Sequence, residues 1–272
     1  MTTEQPTSEV GAVEVEAVVR EVGAWLAGRH RAEPVAARGR AEALAAFSAL
    51  DAPAAALLRE RLGALRPRAG WIESELASRV PVTGEWWLCD PIDGAVQYLL
   101  GQPHWAVTAT LLEEGEAVLA VVHAPQLGFT YTAARGAGAL LNGRRISPSG
   151  RALDTAVVAT SHPPMVAEED ALALRRVGAS TSAVLAAGVL GVRNLGPTAL
   201  QVAQVGSGHL DAFWECGLDA PNLLGGALIA AEAGAVVSDH VGGPWLPGTS
   251  PGFLAAPVQQ HGELVRVLSA VV

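Results

Sequence analysis

The spacing of hydrophobic positions changes along the chain. Over residues 12–29, Val15, Val18, Val19, Val22 and Leu26 recur every three or four residues with Glu and Arg between them. That is the pattern of an amphipathic helix. Residues 30–39 interrupt it with arginines, a proline and a glycine. Helical spacing resumes over 40–50 and again over 53–65. Between these stand Asp51, Ala52 and Pro53, which read as an N-cap and a first-turn proline of a third helix. The period then shortens. Trp86-Trp87-Leu88-Cys89 is a continuous apolar run and predicts a buried strand. Trp105, Val107, Ala109 and Leu111 alternate, Glu113-Glu114-Gly115-Glu116 reads as a turn, and 118–123 returns, so 104–134 predicts a meander of strands. A polar segment with Pro and Gly at 144–153 divides an N-terminal lobe, 1–150, from a C-terminal lobe, 151–272. The second lobe predicts a strand over 155–160, helices near 168–177, 199–206 and 225–232, and a strand over 211–215 with acidic ends.

Composition narrows the class. With 272 residues, 50% of them hydrophobic, and 30 glycines, the chain can bury a large core as one domain or two closely packed lobes. A net charge of −9 argues against nucleic acid or an anionic membrane as main partner. A phosphate site in such a chain needs local positive charge, usually a metal. All 18 basic residues are arginine, which excludes lysine Schiff-base and P-loop chemistry. Cys89 and Cys216 lie in apolar stretches and read as buried free thiols. The polar N-terminus lacks a signal pattern, and no apolar run approaches the roughly 20 residues of a membrane span. The expected location is cytoplasmic.

The chemistry concentrates at Asp90-Pro91-Ile92-Asp93-Gly94, where the apolar run ends. Proline fixes one φ and glycine permits a tight turn. Both carboxylates can converge at the strand end with the Ile92 carbonyl between them, a set of hard oxygens suited to Mg²⁺. The plainer alternative is an Asp-rich turn that caps a strand. His104 and His123 have no partner at ligand spacing and read as strand-end or surface histidines.

The chain resembles the inositol monophosphatase superfamily of Mg²⁺-dependent, lithium-sensitive phosphatases. The resemblance is carried by Asp90-Pro91-Ile92-Asp93-Gly94, by Ala134-Arg135-Gly136-Ala137-Gly138-Ala139 with Asn142-Gly143, and by 226–234 ending in Glu232-Ala233-Gly234. It implies a layered αβαβα sandwich of α/β (α+β) class, commonly a homodimer, acting on a small phosphorylated or polyhydroxylated molecule. It implies a catalytic role for Asp51 and Asp93, substrate contacts at Gly94, Ala95 and Glu215, and metal ligation by Asp90, Ile92, Asp93 and the residues matched by Glu75 and Asn222. For Glu215 the plainer reading is a solvated strand terminus.

The same match exposes departures. The register set by Pro67 and Trp71-Ile72 puts Ser74 where the family has a ligand Glu, with Glu75 following. Ala95 replaces a threonine that orients the attacking water. Ten residues before Glu232, Asn222 replaces a metal-binding Asp, and Pro197 changes a substrate-facing loop. Asp219 stands three residues out of register and reads equally as a turn cap. Two closely spaced divalent ions need several carboxylates to offset their repulsion, so one Mg²⁺, weakly held, is expected. Two functions follow: a metal-dependent phosphomonoesterase on a sugar, cyclitol or nucleotide phosphate that uses Glu73, Glu75 or Asp219 as substitute ligands, or a repurposed or inactive ligand-binding scaffold that has lost the two-metal site.

Overall fold

The computed structural model describes residues 8–72, 80–162 and 171–271. Helix α1 (Ser8–Ala27) buries the stripe read from the sequence, Val15, Val18, Val19, Val22 and Leu26. Helix α2 (Arg40–Leu65) is continuous, which corrects the expected break at 51–53. Alanine and leucine have high helix propensity and carry the helix through Pro53, whose missing N–H leaves the Ala49 carbonyl without its usual donor. Asp51 therefore sits inside a helix and caps nothing. At 26 residues α2 is also long and apolar enough, by length and composition alone, to cross a membrane, contrary to the expectation that no run is. Its Ala54, Leu58 and Leu62 are instead buried with Val19 of α1 and with Trp87.

The first sheet has seven strands in chain order: β1 (Gly70–Trp71), β2 (Glu85–Asp93), β3 (Ala106–Glu113), β4 (Glu116–Ala124), β5 (Phe129–Ala134), β6 (Gly138–Leu141) and β7 (Arg144–Arg145). β1 runs parallel to β2, and every later pair is antiparallel. The β3–β4 hairpin closes over Glu114 (φ 50°) and Gly115 (φ 79°), the positive angles that a two-residue turn needs. A short helix, α3 (Ala95–Leu99), links β2 to β3.

The second sheet runs β11-β12-β10-β8-β9, from β8 (Val157–Ser161), β9 (Gly191–Arg193), β10 (Ala212–Cys216), β11 (Val236–Ser238) and β12 (Gly252–Ala256). β8, β9 and β10 are parallel, and β12 is antiparallel to both its neighbours. Its helices are α4 (Ala171–Ala186), α5 (Thr198–Gly206), α6 (Ala220–Glu232) and α7 (Val258–Ser269). Residues 168–170 of the helix expected near 168–177 lie outside the described residues, and α4 runs on to Ala186. α6 starts five residues earlier than the sequence pattern suggests.

Strand alternation builds the layers. In β4, Leu119 and Val121 face α1 and α2, while Ala120 and Val122 face α5 and α6. In β10, Phe213 faces α5 and α6, while Ala212, Trp214 and Cys216 face α4 and α7. The order is helix pair, sheet, helix pair, sheet, helix pair, as the αβαβα expectation has it. Strands covered on both faces read as unbroken apolar runs.

Two tethers join distant segments. Glu232, at the end of α6, accepts the Gly136 and Gly138 N–H groups, each at 2.8 Å. The glycine turn and the Glu-Ala-Gly motif thus meet each other and serve the scaffold. Asp211, fully buried, accepts from Arg151 Nη1 and from the Val157 N–H, both at 2.7 Å, and from Ser149 Oγ. It anchors the chain passing from the first sheet to the second.

Candidate active site

Proline shapes the end of β2. Its ladder with β3 is regular to Asp90, opposite Thr108, and resumes at Asp93, opposite Ala106, with a register shift between. Pro91 has no N–H for the ladder, and an irregularity is the natural outcome. Asp90 Oδ1 accepts the Ile92 N–H at 2.8 Å, while the Asp90 N–H donates to Thr108 Oγ1 at 3.2 Å. Gly94 follows at φ 93°, in the left-handed region. A Cβ there would lie 2.9 Å from the His104 carbonyl oxygen and 3.2 Å from Pro197 Cβ, so only glycine fits.

Asp93 is buried and bridges to α5. Its Oδ1 accepts the Thr198 N–H at 3.0 Å and its Oδ2 the Leu200 N–H at 3.4 Å. The carboxylate sits at the positive end of that helix. The start of α6 faces the same space. Asp219 holds its N-cap position and Asn222 the third helical position, about one turn on and on the same face. Asn222 Nδ2 donates to Asp219 Oδ1 at 2.7 Å. The Asp219 side chain makes no capping hydrogen bond, so the turn-cap reading does not describe it.

These groups line one cavity of ≈ 430 Å³, with Asp90, Ile92, Asp93, Gly94 and Ala95 on one side and Asp219 and Asn222 on the other. The 194–198 loop contributes Asn194, Gly196 and Thr198, with Pro197 packed at Gly94. Sequence reasoning offered Asp219 as a substitute ligand but did not assign Phe47, Gln97, Ser161 or His162 to the site. For Asp219 the usable signal was its helical phase with Asn222; for His162, its place at the end of a parallel strand. Ala95 brings no hydroxyl, yet Thr198 and Ser161 bring two, with Thr198 Oγ1 donating to Ser161 Oγ at 3.2 Å.

Other expected residues lie elsewhere. Asp51 follows Phe47 by one turn of α2, is half-buried, and does not line the cavity; burial pushes its carboxyl above the usual range. Ser74 and Glu75 lie outside the described residues. Glu215 has no exposed surface and is not a lining residue, so it is no solvated strand terminus. Neither of its oxygens meets a hydrogen-bond donor among the described residues. Burial, and then the neighbouring Asp219 carboxyl, push it well above the carboxylate range. His123 is a buried packing residue whose Nδ1 lies 2.9 Å from Thr130 Oγ1.

The cavity's charged donors are oxygens, the chemistry of a hard divalent ion. Among the described residues no three His, Cys, Asp or Glu side chains already converge on one point. Oxygen donors of this kind suit a hard divalent ion.

The sequence model of the inositol monophosphatase family matches residues 7–272. The chain belongs to the inositol monophosphatase family. It is 36% identical over 201 residues to an inositol-1-monophosphatase of Rhizobium meliloti (strain 1021), covering 72% of this chain and 73% of that one. It is 38% identical over 162 residues to the Nus factor SuhB of Pseudomonas aeruginosa, covering 57% of each. Among solved structures, suhB from Bartonella henselae superimposes with a TM-score of 0.79 at 28% identity, covering 96% of this chain and 100% of that one. An IMPase of Thermotoga maritima gives 0.75 at 28% identity, covering 94% and 95%. Membership of the inositol monophosphatase family makes this an inositol-monophosphatase-like protein of the phosphatase class.

Proposed function

We propose that the chain is a divalent-metal-dependent phosphomonoesterase acting on a small sugar, cyclitol or nucleotide phosphate. The observation that carries this reading is the convergence of Asp90, Asp93 and Asn222 in one cavity at the N-termini of α5 and α6. Helix N-termini present N–H groups and a partial positive charge to an anion.

Asp90, Asp93 and the Ile92 carbonyl would hold one Mg²⁺, with the Asn222 amide oxygen and Glu75 as further donors. When bound, such an ion polarises a phosphoryl oxygen and lowers the pKa of a coordinated water. Asp93 is held by the Thr198 and Leu200 N–H groups and so has a fixed orientation. The family match gives the attacking water's proton to Asp51, which does not line the cavity and would act here through an intervening water. Gly94 and Ala95 leave room for the phosphate, because neither carries a bulky side chain. Glu215, which the family match puts on a substrate hydroxyl, would act here through Asp219 instead. The setting that goes with this reading is a cytoplasmic homodimer.

Two residues favour a second reading, a scaffold that binds the ligand without hydrolysing it. Ala95 lacks the water-orienting hydroxyl, and Asn222 lacks the charge of the family's Asp. The paired variant Ser74→Glu/Asn222→Asp separates the readings. Hydrolysis by the native chain, measured as phosphate release over a panel of sugar, inositol and nucleotide phosphates, is the outcome expected here. A silent native chain with an active paired variant would establish the scaffold reading.

A further inference from the structure

A second cavity, of ≈ 440 Å³, shares two walls with the candidate active site. Helix α3 gives Ala95, Val96 and Gln97 to the first cavity and Tyr98 and Leu99 to the second. Helix α2 gives Phe47 to the first and Leu50, about one turn on, to the second. No described residue lines both. The volume falls within the range of small-molecule sites.

The remaining wall is the segment 28–35, which follows α1 and is fastened to the end of α3. The Val35 N–H donates to the Leu99 carbonyl at 2.8 Å, and His30 Nε2 lies 3.2 Å from the Gln102 carbonyl oxygen. Gly101, at φ 70°, admits the Ala32 carbonyl where any Cβ would collide with it. The His30 ring packs on Tyr98 and Trp105, with centroids 5.1 and 5.7 Å apart. These contacts hold the cavity open without a ligand.

The lining divides by chemistry. Val35, Leu50 and Leu99 are apolar, and Tyr98 adds its ring because its hydroxyl donates to the Leu26 carbonyl at 2.8 Å. Arg29, His30 and Arg31 supply the basic side. Arg29 lies 3.7 Å over the Trp25 ring and donates Nη1 to the Trp25 carbonyl at 2.9 Å, which orients its guanidinium and leaves other donors unused. Arg31 has no hydrogen-bond or ion-pair partner among the described residues. Glu33 reduces the positive charge of the two arginines without cancelling it. A cavity with this balance reverses the charge of a chain that carries −9 overall.

We propose that this cavity binds a small organic anion, with its apolar body against Val35, Leu50 and Leu99 and its carboxylate or phosphate held by Arg29 and Arg31. Guanidinium forks match the paired oxygens of such head groups, and an apolar lining with a few placed polar groups is the usual make-up of a small-molecule site. His30 is a positioning residue that keeps the wall of the cavity in place. The occupant is distinct from the substrate of the phosphatase reading, and the inference rests neither on hydrolysis nor on a metal.

The test titrates the full chain, freed of metal over a chelating resin, with phenylphosphonate, benzoate and the neutral benzyl alcohol, followed by nuclear magnetic resonance of each probe. Without metal the phosphonate has no ion to join in the first cavity. Arg31→Ala removes a head-group partner and Val35→Trp fills the apolar end, with thermal melts to confirm folding. The native chain should bind at least one anion, the tighter of the two identifying the head group, and benzyl alcohol about tenfold more weakly or not at all. Arg31→Ala should weaken anion binding about tenfold, and Val35→Trp should abolish it. Native affinity in either folded variant would overturn the proposal; if one variant fails to fold, the other carries the test. So would equal binding of benzyl alcohol, or no binding of either anion by the native chain. Phosphate release is not read, so failure of the phosphatase reading leaves this inference standing, and the reverse holds too.

Discussion

Glu215 shows what one buried carboxyl does to the whole chain's response to pH. Its folded-state pKa lies well above the ordinary value of 4.5, first because burial disfavours the charged form and then because Asp219 is adjacent. The stabilisation from its proton is complete below the unfolded-state pKa and is lost as the pH rises through the folded one. We therefore predict that Glu215 contributes a loss of stability in urea as the pH rises above the ordinary carboxylate range, and that Glu215→Gln removes that contribution. A variant that keeps the native slope would show that another group titrates. At this scale Asp90 and Asp93 were legible in the sequence, because a strand end with proline and glycine in fixed places leaves few other geometries. Asp219 was legible only as a substitute. Counting back from Glu232 selects a position on the helix but says nothing of the neighbour one turn away.

Elements were legible where a single period governs them. α1 and the β3–β4 hairpin follow directly from their hydrophobic spacing. α2 does not, because Asp51-Ala52-Pro53 carries a local helix-start signal that the surrounding alanines and leucines override. The link between α6 and the glycine turn was equally hidden: Glu232 and Gly136 are far apart in sequence, and only the fold brings them together. A negative charge at the C-terminal end of a helix is unfavourable to the helix dipole, so Glu232 is retained there for its two N–H partners. Glu232→Ala should destabilise the chain by about 2–4 kcal/mol, since two charge-assisted hydrogen bonds are lost. Urea denaturation checks this; a change below about 0.5 kcal/mol would mean that water replaces both bonds.

At the scale of the molecule, α5 and α6 form the layer shared by both sheets, and both point their N-termini at the cavity. Their contact is close at Gly226, where a Cβ would lie 2.7 Å from Val202 Cβ and 2.8 Å from the Ala199 carbonyl oxygen. Gly226→Ala should separate the helices, destabilise the chain by about 1–3 kcal/mol and weaken metal binding by displacing Asp93 from Asn222. Unchanged stability would show that the layer has slack. The five-layer order was legible only through family resemblance, because hydrophobic runs show that strands are covered on both faces but not by which helices.

The proposed activity is hydrolysis of a phosphate monoester in this cavity with the help of a divalent ion. The most direct measurement is phosphate release from the substrate panel by the native chain and by Asp90→Asn, each with Mg²⁺ and with chelator. The expected result is turnover by the native chain that requires Mg²⁺ and is abolished in Asp90→Asn. Turnover that survives the chelator or the Asp90 substitution would contradict it.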